Sequence, residues 1–237
     1  HHYYLFILFV SQEGDIIEVF GPDPISLLLL VDIICEALIP SNFNGVDAGV
    51  LIFKTDGKLN VAELVNILRQ KLISLTGTNN ENIESDGLLD NVLNNLFILE
   101  VYDATQFYTT IHNLDNILLE HRNISLVIFD TLTAFYWSEQ GFKITKMDYY
   151  IKKLLRKIHY ITKEYKVVCI YKRPEYFSSN KDSDNLVTNE LHNTEIVSYR
   201  IQVLDKNNTG DYQVNVRTRD KYFEKYFNLI TQQIKWQ

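Results

Sequence analysis

Five short runs of almost continuous apolar residues constrain the fold more than any other feature of this sequence. Their starts lie 30 to 46 residues apart, and they cover residues 16–20, 50–53, 96–101, 126–129 and 167–171. Strands that are apolar throughout, rather than alternating, are typical of parallel sheets covered on both faces. The spacing leaves room for a crossover helix between successive strands. The runs therefore predict an α/β fold with a doubly wound, mainly parallel sheet.

The segments between these runs carry helical patterns. From residue 61 to 75 the apolar side chains recur three, four and seven positions apart, with Asn60 as a candidate N-cap and Glu63 in the capping-box position. A second stripe runs from Met147 to Tyr165. Helices are also predicted near residues 25–39 and 105–120, and a loop is predicted over the polar residues 76–87.

The pattern changes after residue 171. Residues 173–194 are polar and predict a long loop, whereas 197–204 and 212–218 alternate around a Gly- and Asn-containing turn, which predicts an antiparallel hairpin. The aromatic tail 222–236 fits either a strand or a helix. We therefore expect one core domain over residues 14–237 with a C-terminal antiparallel extension.

Residues 1–13 are expected to form an edge strand or a segment that packs on a partner. The apolar part, residues 3–10, lacks the basic start and the small-residue cleavage site of a signal peptide. No apolar run reaches the roughly 18 residues of a membrane helix. Cys35 and Cys169 lie in apolar runs and indicate buried thiols in a reducing compartment. The six histidines show no metal-ligand spacing, so we expect no metal site.

The first apolar run ends at Gly21 before a predicted helix, which is the place of a phosphate-binding loop. Such a loop needs the pattern G-x-x-x-x-G-K-[ST], in which amides wrap the phosphates and Lys neutralises them. Counted from Gly21, those last three positions hold Ser26, Leu27 and Leu28. The chain has only nine glycines, and one of the positions without glycine is the second glycine position of this loop, which holds Ser26.

We predict a degenerate loop in which Ile25, Leu27 and Leu28 partly fill the former phosphate cavity. Pro24 removes one further backbone donor. No replacement cation lies nearby in sequence, where the close charges are the carboxylates Asp23 and Asp32.

Two further carboxylates follow strands of the same predicted sheet. Asp130 ends the run 126–129, as in a Walker B strand, and Asp56 follows the run 50–53. Ligands of doubly wound sheets bind at the carboxyl ends of the strands, so both residues are expected at one crevice.

In this order the segments resemble the RecA-type ATPase core of the eukaryotic DNA recombinases and their paralogues. Residues 14–21 resemble its first strand and loop, and 53–57 resemble its I-D-T-E-G segment, with Asp56 in place of the catalytic Glu. Residues 126–137, LVIFDTLTAFYW, resemble its Walker B strand and the segment after it. The sequence also resembles the short, X-ray repair cross-complementing type of paralogue in this family, which lacks the N-terminal helical domain.

The resemblance implies a RecA-like P-loop NTPase core and a subunit of a recombinase-paralogue complex in homologous recombination DNA repair. It also implies another paralogue as partner and a nuclear location. The family's polar sensor, commonly T-N-Q, is replaced here by Tyr171-Lys172-Arg173. Together with the lost loop residues and the shortened Asp56, this predicts a non-catalytic protein without ATP or any other cofactor.

The charge of the chain is segregated. Residues 143–173 contain ten basic and two acidic residues, which gives this stretch a net charge of +8. Because the whole chain has a net charge of −7, the remaining residues sum to −15. The stretch is either a solvated helix face or a contact for nucleic-acid phosphates or an acidic partner. The candidate nucleic-acid residues are Lys152, Lys153, Arg156, Lys157, Lys172 and Arg173. Tyr136 and Trp137 either stack on bases or belong to a core or interface.

Two alternatives to a purely protein-binding subunit remain. One is a RecA-fold subunit that binds single-stranded or branched DNA through residues 143–173. The other is a residual DNA-dependent ATPase with an unusual loop.

Overall fold

One mixed sheet of nine strands organises the described part of the chain. The computed structural model describes residues 13–76, 84–140, 146–174, 196–205, 210–230 and 233–236. The strands are β1 (Ile16–Gly21), β2 (Gly49–Lys54), β3 (Leu96–Glu100), β4 (Ile124–Phe129), β5 (Val168–Pro174), β6 (Tyr199–Asp205), β7 (Asp211–Arg217), β8 (Tyr222–Ile230) and β9 (Gln233–Trp236).

The strand order is β3-β2-β4-β5-β1-β6-β7-β8-β9. The strands from β3 to β6 in that order are parallel, and β7, β8 and β9 add antiparallel strands beyond them. All five apolar runs are strands of the parallel part. The predicted fold class, a mainly parallel α/β sheet with a C-terminal antiparallel extension, is thereby confirmed.

Helices cover both faces of the sheet. They are α1 (Ile25–Leu38), α2 (Val61–Thr76), α3 (Glu84–Leu93), α4 (Ala104–His112), α5 (Leu114–Glu120), α6 (Tyr136–Glu139) and α7 (Met147–Glu164), with a short 3₁₀ turn at Ser41–Phe43. One core packs α1 to α3 against alternate strand residues such as Val19 and Ile170. The other packs α4 to α7 against the opposite face, around Phe129 and Tyr171.

Local sequence signals set several of the helix boundaries. The predicted cap of α2 is confirmed, because the Ala62 and Glu63 amides donate to Asn60 Oδ1 at 3.1 and 3.3 Å. The predicted helix 105–120 is instead two helices separated at Asn113. The loop predicted for 76–87 is wrong from Glu84 onward, where α3 begins; residues 77–83 lie outside the described residues.

The C-terminal hairpin is confirmed by the pairing of Ile201 with Val216 and Val203 with Val214. The aromatic tail forms two strands, β8 and β9, rather than a helix. The segment 1–12 and most of the predicted loop 173–194 lie outside the described residues. Within the described residues, the structure contains no helix that combines the length and apolar character needed to cross a bilayer.

A buried cluster of charges joins α1 to α2. Lys71 Nζ lies 2.7 Å from Asp32 Oδ1 and 2.5 Å from Glu36 Oε1. Asp32 is 2% exposed, and its Oδ2 has no hydrogen-bond partner. Burial raises the pKa of Asp32 to about 6 despite Lys71, and the nearby Glu36 adds to the rise. Lys71 thus balances two carboxylates on an otherwise apolar helix.

We expect Lys71→Met to destabilise the protein by about 3–5 kcal/mol, because it leaves Asp32 and Glu36 without their shared cation. Urea unfolding at pH 7.5 measures the loss. Gln70→Ala changes an exposed neighbour on the same helix and serves as the control. A loss equal to that of the control would show that the lysine contributes no net stability.

Candidate functional site

The carboxyl ends of four adjacent strands bring the candidate residues to one edge of the sheet. Gly21 ends β1, Asp56 follows β2, Asp130 follows β4 and Lys172 lies near the end of β5. The parallel registers of β2 with β4, β4 with β5, and β5 with β1 produce this arrangement. The crevice is therefore where a doubly wound sheet binds its ligand.

The loop after β1 is closed as a helical turn. The Ser26 amide donates to the Pro22 carbonyl at 3.0 Å, and the Leu28 amide donates to the Pro24 carbonyl at 2.9 Å. Pro22 and Pro24 have no amide hydrogen at all. Four of the backbone positions that could wrap a phosphate are therefore either occupied or without a donor.

Gly21 fits this loop tightly against the neighbouring strand. Its φ is +147°, and a Cβ added there would lie 2.6 Å from the Val203 carbonyl oxygen of β6. The loop and β6 can therefore approach this closely only because Gly21 has no side chain. A side chain at this position would force the two segments apart.

The residues at the degenerate motif positions belong to the protein interior. Ser26 is fully buried and donates its Oγ to Asp23 Oδ1 at 3.1 Å. Ile25 is buried, and Leu27 and Leu28 are half-buried against the same core. These three side chains line an apolar pocket of about 200 Å³ with Leu229 of β8. Their filling of the phosphate cavity itself stays a prediction.

Two lysines that are distant in sequence converge on the loop at Asp23. Lys172 Nζ lies 2.6 Å from Asp23 Oδ1, and Lys58 Nζ lies 2.9 Å from Asp23 Oδ2. Burial alone would raise the pKa of Asp23, but the hydrogen bonds and charges of both lysines lower it overall. The sequence offered no replacement cation near the loop, whereas the fold supplies two from other segments.

Asp130 is committed to local structure at the crevice. Its carboxylate accepts the Thr55 amide at 2.9 and 3.0 Å, the Thr55 hydroxyl at 2.5 Å and the Thr131 amide at 2.7 Å. Burial raises its pKa to about 6, opposed by the Thr55 hydrogen bond and assisted by the charge of Asp56. The Walker B-like residue therefore ties the end of β4 to the end of β2.

Asp56, at the position of the family's catalytic Glu, accepts a hydrogen bond within its own turn. Its Oδ1 accepts the Lys58 amide at 3.0 Å, and its Oδ2 lies 3.9 Å from Lys58 Nζ. Among the residues that the structure describes, no group of three or more His, Cys, Asp or Glu side chains could hold a metal ion.

A second polar cluster lies on the α7 face of the same strands. Glu18 is 4% exposed, accepts the Tyr171 hydroxyl, and lies 3.2 Å from Arg200 Nε and 3.8 Å from Arg173 Nη1. These residues line a pocket of about 390 Å³ with part of α7. The sequence pattern did not predict this cluster, although Glu18 is the one charge in the run 16–20.

The candidate nucleic-acid residues separate into two groups. Lys172 is 1% exposed and paired with Asp23, and Arg173 bridges Glu18 and Asp148, so neither is an available surface cation. β5 directs Lys172 toward Asp23 and Arg173 toward Glu18. The nucleic-acid contact expected for these two residues stays a prediction.

The remaining candidates lie on α7. Lys152, Lys153 and Arg156 are exposed, and no ion pair engages them in the described part of the chain. Lys157 is half-buried, with its Nζ 2.9 Å from His112 Nδ1. The basic helix therefore presents at least three available cations to solvent.

The aromatic residues of the A-F-Y-W segment also separate. Tyr136 is buried and makes edge contacts to Trp137 and Tyr150 at centroid distances of 4.8 and 5.3 Å. Trp137 is 61% exposed. Only the tryptophan of this pair is accessible for stacking.

Comparison with known proteins supports the resemblance that the motifs indicated. No protein-family model matches the chain. The chain is 22% identical over 193 residues to DNA repair protein XRCC2 from Mus musculus. The match covers 78% of this chain and 66% of that relative, so the chain spans slightly less than two thirds of its length. This match supports the resemblance to the RecA-type recombinase paralogues, and the mainly parallel sheet is the fold which that resemblance implies.

The raised pKa of Asp130 predicts a pH-dependent stability difference between the wild type and Asp130→Asn. The folded protein holds this proton up to about pH 6, whereas an unfolded Asp releases it near pH 4. The contribution of Asp130 to the unfolding free energy therefore falls as pH rises through this window, by up to about 3 kcal/mol. Urea unfolding of both proteins between pH 4 and 7 measures it, and a constant difference would contradict the shift.

Proposed function

We propose that the protein is a non-catalytic subunit of a recombinase-paralogue complex in homologous recombination DNA repair. The observation that carries the non-catalytic part is the occupied loop, in which Asp23 pairs with Lys58 and Lys172. The similarity to DNA repair protein XRCC2 supports the role in repair. Its partner would be another paralogue, in the nucleus.

Three features of the crevice support the absence of ATP hydrolysis. The loop has Leu27 where a phosphate loop has Lys, and two prolines remove amide donors. Asp130 is bound to Thr55 and Thr131 rather than open to a magnesium ion. Asp56 carries a shorter side chain than the Glu it replaces. Each change removes a different requirement of phosphoryl transfer.

The same changes favour a role in assembly. The apolar residues of α1 join a core that needs no ligand to be complete, because Ile25 and Leu29 are buried against the sheet. A fold whose core is complete without nucleotide can present its partner surface without a bound ligand. This suits a constitutive structural subunit better than a switch.

Calorimetric titration with magnesium-ATP tests the non-catalytic proposal. We expect no saturable heat up to about 1 mM nucleotide. The variant Asp56→Asn, whose amide oxygen can still accept the Lys58 amide, should support survival of the protein's own cells after DNA damage as well as the wild type does. Magnesium-dependent binding, together with loss of survival in Asp56→Asn, would favour a residual ATPase instead.

Affinity purification from those cells tests the assembly proposal. The expected result is a stable complex with another RecA-type paralogue at a fixed stoichiometry. Recovery of the protein as a monomer under conditions that preserve other repair complexes would contradict it.

A second candidate function, binding of single-stranded DNA, is favoured by one stripe of α7. Tyr149, Lys153, Arg156 and Tyr160 recur four, three and four positions apart and so share one helix face. Tyr149 is 61% and Tyr160 is 74% exposed. The two rings lie about 16 Å apart along the helix axis. Exposed aromatics that flank cations form a stacking and phosphate-binding surface for a few nucleotides.

Fluorescence anisotropy with a labelled single-stranded oligonucleotide tests this stripe. The double variant Lys153→Glu with Arg156→Glu should bind the oligonucleotide more weakly. The slope of log K against log salt concentration should also become shallower by about 1.4, because two phosphate contacts are lost. Tyr149→Ala with Tyr160→Ala should weaken binding with little change in the salt dependence.

The charge-matched control is Arg219→Glu with Lys221→Glu, which alters two exposed residues beside the β7–β8 turn. If this control weakens binding as much as the α7 variants, the attraction is nonspecific and the stripe has no special role. If none of the variants changes binding, DNA contacts another surface.

A further inference from the structure

Asp23 stands where three donors from separate segments meet. Its Oδ1 accepts from Lys172 Nζ at 2.6 Å and Ser26 Oγ at 3.1 Å, and its Oδ2 accepts from Lys58 Nζ at 2.9 Å. We propose that Lys58, Lys172 and Ser26 form an anion-binding site whose resident anion is the chain's own Asp23 carboxylate, in place of a phosphate group. This inference rests on the nucleotide-free loop proposed above but is independent of the role in repair.

Lys172 is a buried cation. Its side chain is 1% exposed, and an ammonium group removed from water in this way needs an anion beside it. Within the described residues, Asp23 is the one carboxylate within ion-pair distance of Lys172. The site therefore demands an anion, and the loop itself supplies one.

Both cations of the site come from outside the loop. In an active phosphate loop the lysine belongs to the loop and the anion comes with the ligand. Here the loop contributes the carboxylate, while the cations come from β5 and from the connection between β2 and α2. The positions of positive and negative charge are therefore exchanged relative to an active phosphate loop. Here the loop carries the anion, and other segments carry the cations.

The site lies between the end of β1 and the start of α1. Asp23 lies two residues beyond Gly21, at the N-terminal end of α1, which is where a phosphate binds in folds of this architecture. The Ser26 hydroxyl, which also contacts Asp23, occupies the motif's second glycine position. The carboxylate and a phosphate would therefore use the same donors and exclude one another.

Asp23→Ala separates this proposal from a simple structural ion pair. Alanine removes the charge and vacates the space of the carboxylate, so Lys172 is left buried without an anion and an added anion has room beside it. We expect the melting temperature to fall by about 10 °C, and 10 mM sodium pyrophosphate to restore at least half of that fall. The wild type should show no rise beyond that given by sodium chloride of equal ionic strength.

Two further variants define the specificity. Asp148→Asn neutralises a carboxylate that pairs with Arg173 at 2.6 Å on the opposite face of the sheet, and it should not acquire a response to pyrophosphate. Asp23→Ala combined with Lys172→Met should lose the response, because the buried cation is gone. Calorimetry should show pyrophosphate binding to Asp23→Ala at least tenfold tighter than to the wild type.

Each outcome decides the proposal. A folded Asp23→Ala protein without a pyrophosphate response overturns it, and so does a variant that fails to fold even in pyrophosphate. An equal response in Asp148→Asn would show a general salt effect and also overturns it. Magnesium-ATP binding by the wild type would instead contradict the proposed function, so the two failures are distinguishable.

Discussion

The requirement that a buried lysine be paired with an anion connects the central parts of this structure. Lys172 belongs to β5, and its partner Asp23 belongs to the loop between β1 and α1. Lys58 links the same carboxylate to the segment after β2. Three strands that are far apart in sequence are thereby joined at their carboxyl ends. In nucleotide-binding relatives of this architecture a ligand stands at that edge, whereas here the protein makes the connection internally.

The absence of a Lys and a second Gly from the loop after β1 accompanies the apolar character of α1. A loop that binds phosphate must expose amides and a lysine, and it gains much of its order from the ligand. This loop closes with hydrogen bonds to the Pro22 and Pro24 carbonyls, and Ile25 is buried in the core. Asp130 likewise accepts hydrogen bonds from Thr55 and Thr131. The carboxyl-terminal edge of these strands is thus held together by contacts within the protein.

The sequence predicted the elements well where a pattern is local. The five apolar runs became parallel strands, and Asn60 caps α2, because burial and capping depend on neighbouring residues. It failed at α3, whose first residues are polar and resemble a loop. It also could not predict the pairs of the site. Lys172 lies 149 residues from Asp23, and Arg200 lies 182 from Glu18, so these contacts follow from strand register rather than from spacing.

The central position of β1 has a consequence for how the chain is made. Ile17 pairs with Ile170 of β5 on one side and with Tyr199 of β6 on the other. During synthesis the first strand therefore emerges long before either neighbour exists, and it stays apolar and unpaired until most of the chain has left the ribosome. Such long-range parallel pairing folds slowly and exposes strand edges in the meantime. Efficient production of this protein should depend on chaperones that bind nascent chains more than on its final stability.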